Sequence, residues 1–220
     1  VDLDFPRDQT CCGQPAYNSG FPDAARRVAW RQMQTFKKPY PILIPSGSCG
    51  GMMRKHYEHL FHDDPRLPEV RRFSERIFEW SEFMVNALKV ELEDQGAPIR
   101  VTWHTSCHAK RELGLGDESK QLLRQLRNVE LVELEREHEC CGFGGTFAIK
   151  HPQLSGAMVQ DKVTDVRTTG AECLLSADCG CLMNIAGAIE YEGHPVQGKH
   201  LAHFLWERTS NEGTLRIPRN

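Results

Sequence analysis

An internal repeat narrows the possible folds of this chain more than any other feature. Thr10-Cys11-Cys12-Gly13-Gln14-Pro15 is followed by a polar helical stretch, the apolar run Ile42-Leu43-Ile44, and Pro45-Ser46-Gly47-Ser48-Cys49-Gly50-Gly51-Met52. The same order returns as Glu139-Cys140-Cys141-Gly142-Phe143-Gly144, a helical stretch, Cys173-Leu174-Leu175, and Ser176-Ala177-Asp178-Cys179-Gly180-Cys181-Leu182-Met183. Between the glycine of each Cys-Cys-Gly unit and the later cysteine lie 35 residues in the first copy and 38 in the second. Self-similarity over that length means that one supersecondary unit is built twice.

The stretches between these units predict an α/β fold. Asp23 to Lys37 follows a proline and carries Ala24, Val28, Trp30 and Met33 at helical spacing, and Cys49 opens a helix behind the strand 42–44. Pro68 to Glu93 reads as one long helix, with Phe73, Ile77, Trp80, Phe83, Met84 and Leu88 on its apolar face. Strands are predicted at 99–103, 129–134 and 172–176, and helices at 119–126, 152–169, 182–190 and 201–207. Alternation of this kind gives parallel sheets with helical crossovers, so the chain divides into two tandem pseudo-symmetric repeats, 1–96 and 97–220. Residues 1–6 read as the end of a strand entering a loop, with no initiator Met, so the first repeat is expected to lack its beginning. Ligands of such sheets sit beyond the carboxyl ends of the strands, where Cys49, Cys107 and Cys181 each fall.

A chain of 220 residues buries a core without staples, so its nine cysteines are not needed for stability. Nine is odd, and Cys11-Cys12 and Cys140-Cys141 are vicinal pairs that bond to each other poorly, which argues against a secreted disulfide framework. Metal or redox chemistry in a reducing, cytoplasmic compartment fits better. A net charge of -3 and the lack of a basic run with interleaved aromatics argue against nucleic acid. The longest apolar runs, such as 41–45, are too short to span a bilayer, so the chain reads as soluble and cytoplasmic, with at most a peripheral place at the inner face of the membrane through partners.

In the second repeat the ordered set is Cys107, Cys140-Cys141 and Cys181, four thiolates from three loops. Thiolate sulfur suits iron–sulfur clusters and zinc, whereas hard cations want carboxylates. Gly142, Gly144 and Gly145 let the backbone approach and aim N–H groups at the site. Zinc competes, because His104 and His108 flank Cys107; but structural zinc favours knuckles with two to four residues between cysteines, and Cys179-Gly180-Cys181 is one residue too close.

The order Cys, Cys-Cys-Gly, Cys resembles the cysteine-rich CCG domain of the heterodisulfide reductases, the glycolate oxidase iron–sulfur subunits and the lactate utilization proteins. Gln9 to Gly20, Pro45-Ser46-Gly47-Ser48-Cys49, Ser106-Cys107-His108, Cys140 to Phe147 and Gly180-Cys181-Leu182-Met183-Asn184 are similar to the lactate utilization protein A branch. The resemblance implies a [4Fe–4S] electron-transfer subunit of an L-lactate-oxidising complex. It would work beside a ferredoxin-like iron–sulfur subunit and a third small subunit, and would not be a complete enzyme alone. It implies cluster ligation by Cys107, Cys140, Cys141 and Cys181, and by Cys11, Cys12 and Cys49 at a second site whose remaining ligand would precede residue 1. The reductase relatives hold a non-cubane cluster with five cysteines ending in a C-x-x-C pair. Here Ser46 and Asp178 replace the leading cysteine of that pair, so Asp178 or Cys179 becomes a possible accessory ligand. A heterodisulfide-reductase-like thiol/disulfide activity and a zinc scaffold are the competing readings.

Cys173 lies inside a strand and is expected in the core, while His104, His108 and His138 are expected to cap or hydrogen-bond near the site. Lys110 and Arg111 read equally as a solvated helix end or as charges that offset the cluster. Arg66, Arg71, Arg72 and Arg76, mixed with Glu69, Glu75 and Glu79, predict an exposed, ion-paired helix face. No dinucleotide fingerprint, Walker loop or nucleophile elbow is present in the sequence.

Overall fold

The computed structural model describes residues 2–210. Helices α1 (Gln14–Asn18) and α2 (Pro22–Thr35) follow the first Cys-Cys-Gly, and strand β1 (Ile42–Ile44) leads into α3 (Gly47–Gly51). Helix α3 continues through a π-helical turn, Met52–His56, into α4 (Tyr57–Leu60), and α5 (Leu67–Ser74) returns the chain to strand β2 (Ile77–Glu79). Strand β2 lies parallel to β1, with Ile42 opposite Ile77 and Ile44 opposite Glu79. Helix α6 (Trp80–Glu82) and a second π-helical turn, Phe83–Ala87, then lead to an extended linker, residues 88–98.

The second repeat is a four-stranded parallel sheet. Its elements in chain order are β3 (Ile99–Trp103), α7 (Cys107–Arg111), α8 (Glu118–Arg124), β4 (Val129–Val132), α9 (Thr146–Lys150) and α10 (Pro152–Thr168). Then come β5 (Cys173–Ser176), α11 (Cys179–Tyr191), β6 (Gln197–His200) and α12 (Leu201–Thr209). The strand order is β4-β3-β5-β6, all parallel. Strands β1 and β2 correspond to β5 and β6, each pair preceded by Cys-Cys-Gly and a long helix.

The predicted helix from Pro68 to Glu93 is the main correction. Its apolar residues do have helical spacing, yet 77–79 is a strand, because β1 would otherwise lack a parallel partner. Glu79 ends that strand and caps α6, accepting from the N–H groups of Ser81 and Glu82 while Glu82 reaches back to its own N–H. Trp80, Met84 and Val85, with Val90 and Leu92 of the linker, pack on the second repeat's core of Val101, Leu122, Leu123, Cys173, Leu175 and Phe204. The two repeats therefore share apolar surface. The expected charged helix face is also only partly present. Arg71 pairs with Glu58, but Arg66 binds Asp64 and stacks over Trp30 at 4.5 Å, and Arg76 donates to the carbonyls of Phe36, Lys38 and Tyr40. Residues 2–6 have irregular backbone, not the end of a strand; Val1 lies outside the described residues.

The two Cys-Cys-Gly turns match in atomic detail. Gly13 and Gly142 have φ of 89° and 83°, and each donates its N–H to the sulfur of the first cysteine, Cys11 or Cys140, at 3.4 Å. At Gly142 a Cβ would lie 2.7 Å from the Ser155 carbonyl and 2.9 Å from Met158 Cβ, both on α10. A Gly142→Ala change combines backbone strain with that clash. It is expected to cost about 1–3 kcal/mol in urea denaturation and to lower metal retention in the same sample.

Candidate metal centre

Three strand-to-helix turns carry cysteines, and each has a capping side chain that fixes its start. Ser46 accepts from the N–H of Cys49, Ser106 from that of Ala109, and Asp178 from that of Gly180. In α3 and α11 the cap stands three residues before the cysteine, so Cys49 and Cys181 project from matching first turns. Ser46 and Asp178 are thus used as helix caps.

Cys107 and Cys181 follow the adjacent strands β3 and β5, and Cys140-Cys141 follow β4 on the other side of β3. Neighbouring strands are about 4.8 Å apart, so three loops at one sheet edge converge on a small volume. The sulfurs of Cys141 and Cys181 lie within 4.8 Å of each other, and Cys107, Cys140 and Cys141 are near enough to shift one another's ionisation. Cys141 and Cys181 are buried, at 2% and 8% exposed, whereas Cys107 and Cys140 are half-buried. Hydrogen bonds from the Cys107 and Cys141 thiols, helped by the Gly142 N–H, hold Cys140 well below the usual thiol range. The same bonds, followed by burial, push Cys107 and Cys141 up. Among the described residues every cysteine is a free thiol.

The loop that presents Cys140 is pinned from α10. Asp165, buried, accepts from the N–H groups of Glu135 and Arg136 at 3.1 and 3.0 Å, and the buried Lys162 donates to the Arg136 carbonyl. Asn184 of α11 donates to the Cys141 carbonyl at 2.8 Å. In the first repeat Tyr57 gives the same support to the Cys12 carbonyl, also at 2.8 Å. There Cys12 and Cys49 are in contact, and that hydrogen bond lowers Cys49 to about 7 while Cys12 is pushed up; Cys11 is exposed beside them.

His104 follows β3, with its N–H bonded to the Leu175 carbonyl, and its side chain is 1% exposed. Burial, followed by the charge of Lys162, lowers it to about 4, so the ring is neutral. One ring nitrogen and the sulfurs of Cys141 and Cys181 all lie within 4.8 Å of one another. His108 Nδ1 is 3.4 Å from Cys107 Sγ. Its Nε2 is 3.6 Å from Glu112, which also meets His56 of the first repeat at 3.0 Å. His138 is exposed and meets Lys110 and Arg111 at the surface, and the Arg111 charge acts on Cys107, opposing the rise of its thiol. Cys173 is buried in the strand core.

The two cysteine sets face a shared junction. Helix α3 packs on α7 so closely that a Cβ at Gly47 would lie 2.5 Å from Ser106 Oγ. Asp178 Oδ2 accepts from the Ser48 N–H at 2.8 Å and from Ser46 Oγ at 3.3 Å, tying the cap of one repeat to that of the other. Ser19 and Thr146 meet at 2.9 Å, and His200 Nε2 is 3.0 Å from the Pro45 carbonyl. Cys179 sits on the exposed side of this junction; partial burial and then the charges of Asp178 and Cys49 raise its thiol. An Asp178→Ala change strips a helix cap and the inter-repeat bonds together. A loss of about 1–3 kcal/mol in urea denaturation is expected, with faster proteolysis between the repeats.

The donor set fits a soft metal centre: sulfur from three loops, two of the four sulfurs buried, with a backbone N–H aimed at one of them. No helix among the described residues is long and apolar enough to cross a membrane. The family model of the cysteine-rich domain CCG matches residues 1–54 and 101–186, one stretch around each Cys-Cys-Gly turn. Lactate utilization protein A of Bacillus licheniformis is 45% identical over 210 residues, 94% of this chain and 87% of that protein. The Bacillus subtilis protein of that name is 44% identical with the same coverage, and that of Geobacillus kaustophilus is 44% identical over 92% of this chain and 85% of its own length. By sequence, by the paired Cys-Cys-Gly turns and by the parallel α/β repeats, the chain belongs to the CCG cysteine-rich domain family, in its lactate utilization protein A branch.

Proposed function

We propose that the chain holds an iron–sulfur centre, most simply a [4Fe–4S] cluster, on Cys107, Cys140, Cys141 and Cys181. It would serve as an electron-transfer subunit in L-lactate oxidation. The observation that carries this reading is that three neighbouring parallel strands bring Cys107, Cys140-Cys141 and Cys181 to the carboxyl end of one sheet, with Cys141 and Cys181 within 4.8 Å. Spread over three loops in this way, the donors match the ligation of a cluster better than the paired knuckles of structural zinc. The lactate assignment rests on the names of the relatives at 42–45% identity. Cys11, Cys12 and Cys49 offer three thiolates to a second centre in the first repeat.

When bound, such a centre supplies one-electron transfer. The residues of the chain set its environment. Buried Cys141 and Cys181 keep water from one side, and the Gly142 N–H stabilises the charge on Cys140 sulfur, which favours reduction. Half-buried Cys107 and Cys140 form the edge nearest solvent, the place for exchange with a ferredoxin-like iron–sulfur subunit and a third small subunit. A cytoplasmic complex of three chains is the expected setting. Anaerobically reconstituted chain mixed with those two subunits should be reduced by L-lactate. Undiminished growth on L-lactate after deletion of the gene would count against the physiological role.

A further inference from the structure

His104 is a buried imidazole without a hydrogen bond. Neither Nδ1 nor Nε2 has a partner, although the ring is enclosed by protein. Buried polar nitrogens are rarely left so, and an orphaned one calls for an explanation. The backbone fixes where the ring stands, because the His104 N–H closes the β3–β5 ladder on the Leu175 carbonyl at 2.9 Å. Charged groups near the ring are Lys162, Cys140, Asp178 and Glu137, and each of these side chains is committed elsewhere. Lys162 donates to Arg136, and Glu137 is held by Lys120 and Thr105. Asp178 accepts from Gly180 on one oxygen and from Ser48 and Ser46 on the other, so its carboxylate is held as a helix cap and a clasp to the first repeat.

One nitrogen of the ring does face a soft donor set. It lies with the sulfurs of Cys141 and Cys181 in a group whose members are all within 4.8 Å. On a single metal ion nitrogen at about 2.0 Å and sulfur at about 2.3 Å stand roughly 3.5–4 Å apart, and on neighbouring irons of a cluster they stand farther apart, so donors within 4.8 Å of one another can serve one centre. We propose that His104 is a fifth, nitrogen ligand of the metal centre in the second repeat, added to the four thiolates on the side of Cys141 and Cys181. The assignment rests on the metal-holding reading above. Ligation uses the lone pair of one nitrogen and leaves the N–H on the other. The site is thereby of mixed thiolate and imidazole character, not sulfur alone.

The test uses the full chain labelled with 15N-histidine and reconstituted anaerobically with iron and sulfide. Iron and sulfide are assayed, the sample is reduced with dithionite, and pulsed EPR is recorded. A strongly coupled 15N signal is expected, lost in His104→Gln and kept in His138→Gln, whose imidazole is on the surface. No strong coupling in a sample that holds iron and sulfide, or coupling that persists in His104→Gln, would overturn the ligand assignment while the iron–sulfur reading stands. If His104→Gln does not fold, the labelled wild-type spectrum decides alone. Zinc without labile sulfide would sink the iron–sulfur reading. In that case zinc-edge X-ray absorption decides on His104, by a nitrogen scatterer present in the wild type or its absence. Protein that binds neither metal overturns both.

Discussion

Cys141→Ser is expected to lose nearly all metal from the second repeat. Cys141 is 2% exposed, its sulfur lies within 4.8 Å of that of Cys181, and it is near enough to Cys140 to shift its ionisation. Serine puts a hard, protonated oxygen where a thiolate is needed, and a cluster or zinc selects sulfur over it. Anaerobic reconstitution followed by iron and sulfide analysis should find only what the Cys11, Cys12 and Cys49 set retains. Cys173→Ser is the matched control. Cys173 is equally buried but packs among Val101, Leu175 and Phe204, so that variant should lose stability and keep its metal. Equal metal loss in the two variants would mean that general unfolding, not ligation, is being read.

Arg208→Met has the largest expected effect on stability, about 3–5 kcal/mol, because it strands a buried carboxylate. Asp94, with a side chain 0% exposed, lies in the linker between the repeats and receives the Arg208 guanidinium through Nε and Nη2, both at 2.8 Å. The N–H groups of Asn128 and Gly96 complete its shell, and Arg208 also donates to the Ala97 carbonyl. Burial pushes the Asp94 carboxyl up, but these donors outweigh it and leave it below the ordinary aspartate range. A depressed folded-state value means that the contribution is complete above the unfolded value of about 3.9 and is lost as pH falls through the folded one. Wild type should therefore hold this contribution down to about pH 4. In Arg208→Met burial acts unopposed by the guanidinium and pushes the carboxyl up, so protonation relieves the buried charge and the deficit relative to wild type should shrink as pH falls. Urea denaturation across pH 3–7 reads both effects, and parallel curves for the two proteins would refute the clamp.

The repeat is the most legible part of the fold, since Cys-Cys-Gly fixes a turn whose glycine needs positive φ in both copies. Strands β1 and β5 are short apolar runs and β3 alternates apolar Ile99, Val101 and Trp103 with Arg100 and Thr102, and sequence places all three within a residue. Strand β2 escapes a reading by pattern because three residues leave no alternation to see, and Phe73, Ile77, Trp80 and Met84 keep helical spacing across it. Strand β6, Gln197–His200, is polar; only its pairing with β5 reveals it. Arg76 reads in sequence as part of a charged face, but the carbonyls it holds lie 36 to 40 residues away. At the site, sequence order groups Cys107, Cys140, Cys141 and Cys181. It does not reveal that Asp178 is engaged by the opposite repeat, nor that His104 faces the thiols, because both facts depend on which strands are neighbours.

Metal and sulfide analysis of the anaerobically purified chain, with EPR after dithionite reduction, tests the central claim most directly. The account predicts iron and acid-labile sulfide in equal amounts and a reduced-cluster signal, with Cys107→Ser and Cys181→Ser each abolishing the signal of the second repeat. Stoichiometric zinc with no labile sulfide, or an iron–sulfur signal unchanged in both variants, would contradict it.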